Sequence, residues 1–253
     1  MCNGSIMDKL ISFSLPLMVS GILQLAFNAV DIIVVGRFSG SQALAAVGST
    51  TALINVFTNL FIGISLGANV LAARFYAAGR EEEMSQTVHT AITLALISGV
   101  AMAFVGVLFA KGALELMGTP DDVIGQSTLY MRIYFMGMPF FMLYNYGAAI
   151  LRAIGDTKRP LIFLIISGIA NAALNMILVI LFHMGVAGVA IGTIISQLIS
   201  CVLVLTCLYR SEGSYQLRFS KLKINGAYME QIFQVGVPAG IQSTVINLSN
   251  ALL

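Results

Sequence analysis

The sequence has few charged residues and no tryptophan, and both shortages restrict the class of protein it can encode. Only 9% of its 253 residues are Asp, Glu, Lys or Arg, whereas soluble domains carry roughly a quarter. A mean hydropathy of +0.93 accordingly excludes a water-soluble fold. The net charge of +2 is too small to indicate a nucleic-acid partner or a polybasic membrane anchor.

Cysteine is also scarce, and the chain lacks the motifs of enzymes. Cys2, Cys201 and Cys207 show neither a metal-ligand spacing nor a disulfide framework. No phosphate-binding glycine loop, nucleophile with an associated base, or metal cluster is present. We therefore predict a protein that is not an enzyme, holds no cofactor and does not hydrolyse ATP to drive transport.

The apolar residues form successive blocks long enough to cross a hydrocarbon core of about 30 Å, which predicts an all-α membrane protein. The first block, beginning after Asp8 and Lys9, is too long for a cleaved signal peptide, so we expect it to remain in the mature protein. Six membrane helices are predicted, at residues 11–36, 43–76, 85–111, 123–151, 159–183 and 186–209, and a seventh starts near Pro238.

The basic residues fall mainly in alternate connections. With the N-terminus in the cytoplasm, ten lie on the inner side and only Arg37 and Lys111 on the outer side. The ten are Lys9, Arg74, Arg80, Arg152, Lys158, Arg159, Arg210, Arg218, Lys221 and Lys223. Because loops rich in Lys and Arg stay in the cytoplasm, this pattern predicts a multi-pass protein of the cell (inner) membrane with a cytoplasmic N-terminus.

Three regions are predicted: a six-helix lobe at 1–210, a cytoplasmic linker at 211–234, and the first helix of a second lobe at 235–253. Residues 237–252 can be aligned with residues 15–30, pairing Pro238 with Pro16 and Asn250 with Asn28. Transporters are commonly built from such repeats. We therefore expect the chain to be a fragment whose C-terminal lobe is missing.

Polar side chains follow one face of several helices. The first helix carries Ser20, Gln24, Asn28 and Asp31 at helical spacing. Similar stripes occur on three further helices: Thr51, Asn55 and Asn59; Ser167, Asn171 and Asn175; Thr193, Gln197 and Ser200. Hydrogen bonds between helices would explain one such stripe; a shared polar cavity explains four more economically.

Asp31 is the only carboxylate well within an apolar block. Burying its charge is unfavourable unless a cation or a proton neutralises it. A cation shell also needs neutral oxygens, which Asn171, Asn175 and Thr193 could provide. The alternative is a helix-end residue held by the backbone or by Arg37.

Methionines and aromatic residues are concentrated in the fourth predicted helix, where Tyr134 and Met138 lie. Core packing would explain them, although thioethers and aromatic faces also suit a cavity for lipophilic cations. The predicted substrate cavity has six residues: Gln24, Asn28, Asn55, Tyr134, Met138 and Gln197.

Three segments closely resemble the multidrug and toxic compound extrusion (MATE) family: NAVDIIVVGRFSGSQALAAVG at 28–48, ILRAIGDTKRP at 150–160 and NAALNMILVILFHMGVAGVAIGTIISQ at 171–197. The resemblance implies half of a twelve-helix antiporter that exports organic cations in exchange for sodium ions or protons. It further implies a cation site at Asp31, Asn171, Asn175 and Thr193.

The chain departs from some relatives at Asn175, where they have a second aspartate. A relay of protons between two acids is therefore disfavoured, and either one monovalent cation or protonation of Asp31 alone remains. Two other functions stay open: a flippase for lipid-linked oligosaccharides, and a non-transporting scaffold or half-size dimer. A flippase would need a basic cavity for phosphates, whereas Arg132 is the only Lys or Arg well inside a predicted span, the others lying at span ends or in connections.

Overall fold

The computed structural model describes residues 6–252, and of their side chains those of residues 7, 8 and 10–246. This described part of the chain is mostly helical, with short connections and one longer segment at 211–225, and it contains no strand. The helices are α1 (Ile6–Phe38), α2 (Gly40–Ala77), α3 (Glu81–Leu116), α4 (Asp121–Met136), α5 (Met138–Ala153), α6 (Lys158–Met176), α7 (Gly185–Arg210) and α8 (Gly226–Leu252). The predicted all-α membrane fold is confirmed.

Within the described residues, five helical segments are long and apolar enough to cross a membrane: Leu10–Phe38, Gly40–Ala77, Glu81–Leu116, Lys158–Leu181 and Gly185–Arg210. They correspond to five of the six predicted spans, with ends displaced by a few residues. The ends were underestimated because charged side chains, such as those that open α3, continue the helix beyond the apolar block. The fourth of these segments ends in a π-helical turn, Ile177–Leu181.

The fourth predicted helix, 123–151, is wrong as a single element because it breaks at Gly137. Tyr134 O accepts a hydrogen bond from Gly137 N–H at 3.0 Å, and Gly137 O accepts one from Phe141 N–H at 3.1 Å. Pro139 has no N–H to donate to the preceding turn, which is a standard cause of helix interruption. The span is therefore two helices of 16 residues each, α4 and α5.

The seventh helix starts at Gly226, so its predicted start near Pro238 is wrong. Residues 226–234 are amphipathic, so the sequence assigned them to the linker as a turn lying against the membrane, yet they form the first turns of α8. Pro238 lies inside this helix, as Pro16 lies inside α1. The predicted pairing of Asn250 with Asn28 falls outside the described side chains.

Helices α2 and α8 cross with their backbones in contact. Gly63 and Gly67 on α2 face Gly236 and Gly240 on α8. A Cβ atom on Gly236 would lie 2.6 Å from Ile64 Cα. Small residues four apart on each helix permit this close approach, the usual way membrane helices associate. The crossing attaches α8 to the preceding bundle.

The segment between α7 and α8 is bound to the start of α3. Leu217 in this segment is fully buried. His89 Nδ1 lies 2.6 Å from Ser85 O, and Arg218 N–H donates to His89 Nε2 at 3.1 Å. Since a carbonyl only accepts and an N–H only donates, these partners require a neutral imidazole that is protonated on Nδ1. Asn225 adds a hydrogen bond from its Nδ2 to Gln86 Oε1 at 2.9 Å.

Replacing His89 by leucine should expose this segment to protease, because Arg218 N–H loses its acceptor. In the chain reconstituted in lipid nanodiscs, trypsin should cut after Arg218 or Lys221 several-fold faster, since losing the partner of this part-buried donor costs about 1 kcal/mol. Thr93→Val is the matched control: Thr93 Oγ1 bonds only to His89 O, at 2.7 Å, on the same helix. Unchanged cleavage in the leucine variant would contradict this attachment.

Candidate functional site

A cavity of about 470 Å³ opens between α1, α2 and helices α4 to α7. Eight of the ten residues predicted for the cation site or the substrate cavity line it. They are Gln24, Asn28, Asp31, Asn55, Tyr134, Asn171, Thr193 and Gln197. The polar stripes of separate helices therefore converge on one space, as the spacing of their side chains predicted. A role for these residues in binding remains a prediction.

Asp31 lies in the wall of this cavity and is joined to α6 by a hydrogen bond. Asn175 Nδ2 donates to Asp31 Oδ1 at 2.5 Å and to Asn171 Oδ1 at 3.3 Å. Asn171 and Asn175 are one helical turn apart, which is why both amides reach the same place. Asn175 itself is fully buried, behind the residues that line the cavity.

Thr193 on α7 ends this hydrogen-bond chain. Asn171 Nδ2 donates to Thr193 Oγ1 at 3.4 Å, and the Thr193 hydroxyl donates to Val189 O at 2.9 Å. Because the hydroxyl proton is committed to a backbone carbonyl, the Thr193 oxygen can only accept. The direction of this series of hydrogen bonds is therefore fixed: it ends on the acceptor Asp31 at one end and on an acceptor in α7 at the other.

The group of side chains offers oxygen atoms of the kind that hold a monovalent cation. Asp31 supplies a carboxylate, and Asn171, Asn175 and Thr193 supply amide or hydroxyl oxygens, the ligands preferred by hard cations. Asn175 Oδ1 is buried and has no hydrogen-bond partner among the described residues. An unpaired buried acceptor is uncommon in proteins; this one lies against Gly192 while the nitrogen of the same amide faces Asp31, so it can join a cation at Asp31 only if the amide turns.

Asp31 is the only residue with a formal charge among the described residues that line the cavity. In the described side chains it belongs to none of the ion pairs, which join Arg80 to Glu83, Lys111 to Glu115 and Arg159 to Asp156. Part of the wall is aromatic: the rings of Tyr130 and Tyr134, which also line the cavity, lie 6.2 Å apart. A negative group beside aromatic faces suits a lipophilic cation.

Met138 does not line the cavity, so its predicted place there is wrong. Its side chain is fully buried in the hydrophobic core, at the first residue of α5. Pro139, its neighbour, is a close contact of α3: a Cβ on Gly99 would lie 2.6 Å from Pro139 Cα. The tight packing of α5 on α3 thus leaves Met138 inside the protein.

Other lining residues were not predicted, including Thr58 on α2, Tyr144 and Asn145 on α5, and Phe27 on α1. Asn145 is the clearest omission, since it is the one amide among the aromatic residues of α5. Its Nδ2 donates to Phe141 O at 2.8 Å, one turn earlier on the same helix. A lone amide in an apolar helix is the signal that could have found it.

The family model MatE matches residues 16–177. Among similar proteins, the "Probable multidrug resistance protein YoeA" of Bacillus subtilis (strain 168) is 35% identical over 94% of this chain and 53% of its own length. The "Multidrug export protein MepA" of Staphylococcus haemolyticus (strain JCSC1435) is 25% identical over 97% of this chain and 56% of its own length. The chain thus spans about half the length of these curated relatives.

Solved structures share the fold. "Crystal structure of MATE in the bent conformation" superposes with a TM-score of 0.89 at 22% identity, covering 97% of this chain and 55% of that one. For a multidrug resistance MATE family transporter of the MOP superfamily, the outward-facing conformation superposes with a TM-score of 0.88 and the inward-facing one with 0.82, both at 22% identity. The match to the outward-facing structure covers 95% of this chain and 53% of that one, and the match to the inward-facing structure covers 93% of this chain and 54% of that one.

Proposed function

Because the chain belongs to the MATE family of membrane transporters, we propose that it forms the first half of a cation-coupled antiporter exporting lipophilic organic cations. The proposed location of the protein is the cell (inner) membrane, with its N-terminus in the cytoplasm. A second lobe, outside this chain, would complete the transport path. The relatives named as multidrug resistance and export proteins support this class of cargo.

The observation that carries the proposal is Asp31, the sole formal charge among the described residues that line the cavity. An unpaired carboxylate in an apolar protein attracts a cation strongly, because the surroundings screen it little. The aromatic wall provides contact area for the hydrophobic part of an organic cation. Anion transport is disfavoured by the same charge.

Coupling follows from the competition of two cations for one carboxylate. In the ionised state, Asp31 makes the cavity attractive to a cationic substrate. A sodium ion or a proton that arrives from outside neutralises Asp31 and weakens that attraction, so the substrate is released. Loss of the small cation on the inner side restores the site. Rocking of two lobes would expose the site to each side in turn.

The coupling ion is either a sodium ion, held by Asp31 with the oxygens of Asn171, Asn175 and Thr193, or a proton on Asp31 alone. A single carboxylate gives no second acid to which a proton could pass. The direct hydrogen bond from Asn175 to Asp31 supports a site in which the amide responds to the charge of the carboxylate.

The flippase alternative is weakened by the cavity itself, where no described lining residue is basic. Arg132, the one candidate for holding phosphate, is exposed and donates from Nε to Val107 O at 3.2 Å, away from the cavity. A scaffold or half-size dimer would not need a polar cavity, so neither alternative explains it.

The test is efflux of ethidium by the full-length transporter that contains this chain, in vesicles with sodium and proton gradients imposed separately. We expect efflux against the ethidium gradient under one of the two ion gradients, which identifies the coupling ion. Vesicles that lack the transporter provide the baseline. Ethidium movement that is indifferent to both gradients would contradict the proposal.

A further inference from the structure

Gly192 on α7 makes room for the amide of Asn175. An ideal Cβ built on Gly192 would overlap Asn175 Oδ1 and would lie 3.4 Å from Asn175 Cγ. The amide therefore occupies the volume that any other residue at position 192 would fill with its side chain. Even alanine at this position would force the amide of Asn175 to move.

The nitrogen of the Asn175 amide is hydrogen-bonded, whereas its oxygen has no partner among the described residues. Both Nδ2 hydrogens are used, since this nitrogen donates to Asp31 Oδ1 and to Asn171 Oδ1 at 2.5 Å and 3.3 Å. The carbonyl oxygen, turned toward Gly192, is buried and has no hydrogen-bond partner among the described residues.

We infer that Gly192 is a positioning residue that leaves a slot in which the Asn175 amide turns between two orientations. In one, its N–H groups face an ionised Asp31; in the other, its carbonyl oxygen does. This inference rests on the proposed cation site at Asp31.

Binding of a cation at Asp31 requires the Asn175 amide to turn. An amide N–H that stabilises a bare carboxylate points its positive end at any cation that binds there, whereas a cation ligand must be an oxygen. Rotation about the Cβ–Cγ bond exchanges Oδ1 and Nδ2, and this torsion is broad for asparagine. The rotation also releases Asn171 Oδ1 from its donor. Two neutral oxygens thereby become available together, and the gap at Gly192 receives the nitrogen.

Modification of Asp31 by a lipophilic carbodiimide, measured by peptide mass spectrometry on the 253-residue chain in nanodiscs, tests this inference without any transport. A carboxylate whose oxygen accepts a short hydrogen bond should react slowly. In Gly192→Ala, where the amide is displaced, labelling of Asp31 should be about tenfold faster, as loss of a hydrogen bond to a charged group implies. Asn175→Ala should show the same increase.

A double-mutant cycle shows whether Gly192 acts through Asn175. We expect the Gly192→Ala, Asn175→Ala double variant to label no faster than either single variant. Gly188→Ala is the matched control on the same helix, since the three atoms nearest to a Cβ there are carbons of Leu178 and Met184, at 3.1–3.2 Å, which must shift by only a few tenths of an ångström and do not belong to Asn175. It should label like the unmodified chain. Additive effects, an equal effect of Gly188→Ala, or no effect of Gly192→Ala would each overturn the inference.

Repeating the labelling in sodium chloride and in choline chloride separates this inference from the proposed function. If sodium is the coupling ion, sodium slows labelling of the unmodified chain, and Gly192→Ala raises the half-protecting concentration roughly 10- to 100-fold. If sodium gives no protection, a sodium site is excluded. The comparison of the four variants still decides the role of Gly192.

Discussion

Asp31→Asn should abolish ethidium efflux driven by an ion gradient in the full-length transporter. The substitution keeps the size of the side chain but removes the one formal charge among the described lining residues of the cavity. Loss of a charged partner weakens cation binding by about 10- to 100-fold, for the coupling ion and the organic cation alike. The measurement is ethidium efflux from vesicles with matched amounts of transporter.

Glu115→Gln is the control for this substitution, because it also removes one carboxylate. Glu115 is exposed at the end of α3 and lies 3.6 Å from Lys111 Nζ, away from the cavity. We expect normal efflux from it and normal membrane insertion of both variants. Coupled efflux by Asp31→Asn at the normal rate would mean that the charge of Asp31 is not needed.

Gly63→Leu should detach α8 from α2. A Cβ on Gly63 would overlap the backbone of Gly240, which, unlike a side chain, has no other rotamer to adopt. Overpacking of a close contact costs about 1–3 kcal/mol, and a backbone-to-backbone crossing falls at the upper end. In detergent, we expect the 253-residue chain to lose its compact form at a clearly lower temperature, as followed by size-exclusion chromatography after heating.

Gly48→Leu is the matched control on the same helix. No atom lies within 4 Å of a Cβ built at Gly48, so leucine has space there. Replacing glycine by leucine within a helix is also favourable by about 1 kcal/mol. We expect Gly48→Leu to melt at or above the temperature of the unmodified chain. Equal melting of Gly63→Leu and Gly48→Leu would disprove the tight crossing.

The helical architecture was predictable because membrane spans depend on length and hydropathy alone. Features that depend on backbone or tertiary contacts were not. The break at Gly137 is invisible to hydropathy, although the nearby Pro139 is a recognisable signal. The early start of α8 was missed because its first turns are amphipathic and read equally well as a surface segment of the linker. The attachment of Arg218 to His89 joins residues 129 positions apart, and no local pattern encodes such a contact.

The candidate site was predictable for a related reason. Polar side chains are rare in apolar helices, so Asp31, Asn171 and Thr193 stood out by type and spacing, and the structure places them together. The prediction that Met138 lines the cavity was wrong because methionine is equally suited to a core and to a cavity wall. The role inferred for Gly192 depends on what lies opposite a missing side chain, and only the packed structure supplies that information.

Competition between the small cation and the organic cation for one site can be measured directly by equilibrium binding. Fluorescence anisotropy of ethidium would be recorded with the full-length transporter in nanodiscs, while sodium is raised at constant ionic strength or the pH is lowered. We predict that one of these two ions displaces ethidium from the unmodified protein and that Asp31→Asn abolishes this competition. Ethidium binding that is unaffected by both ions would contradict coupling through Asp31.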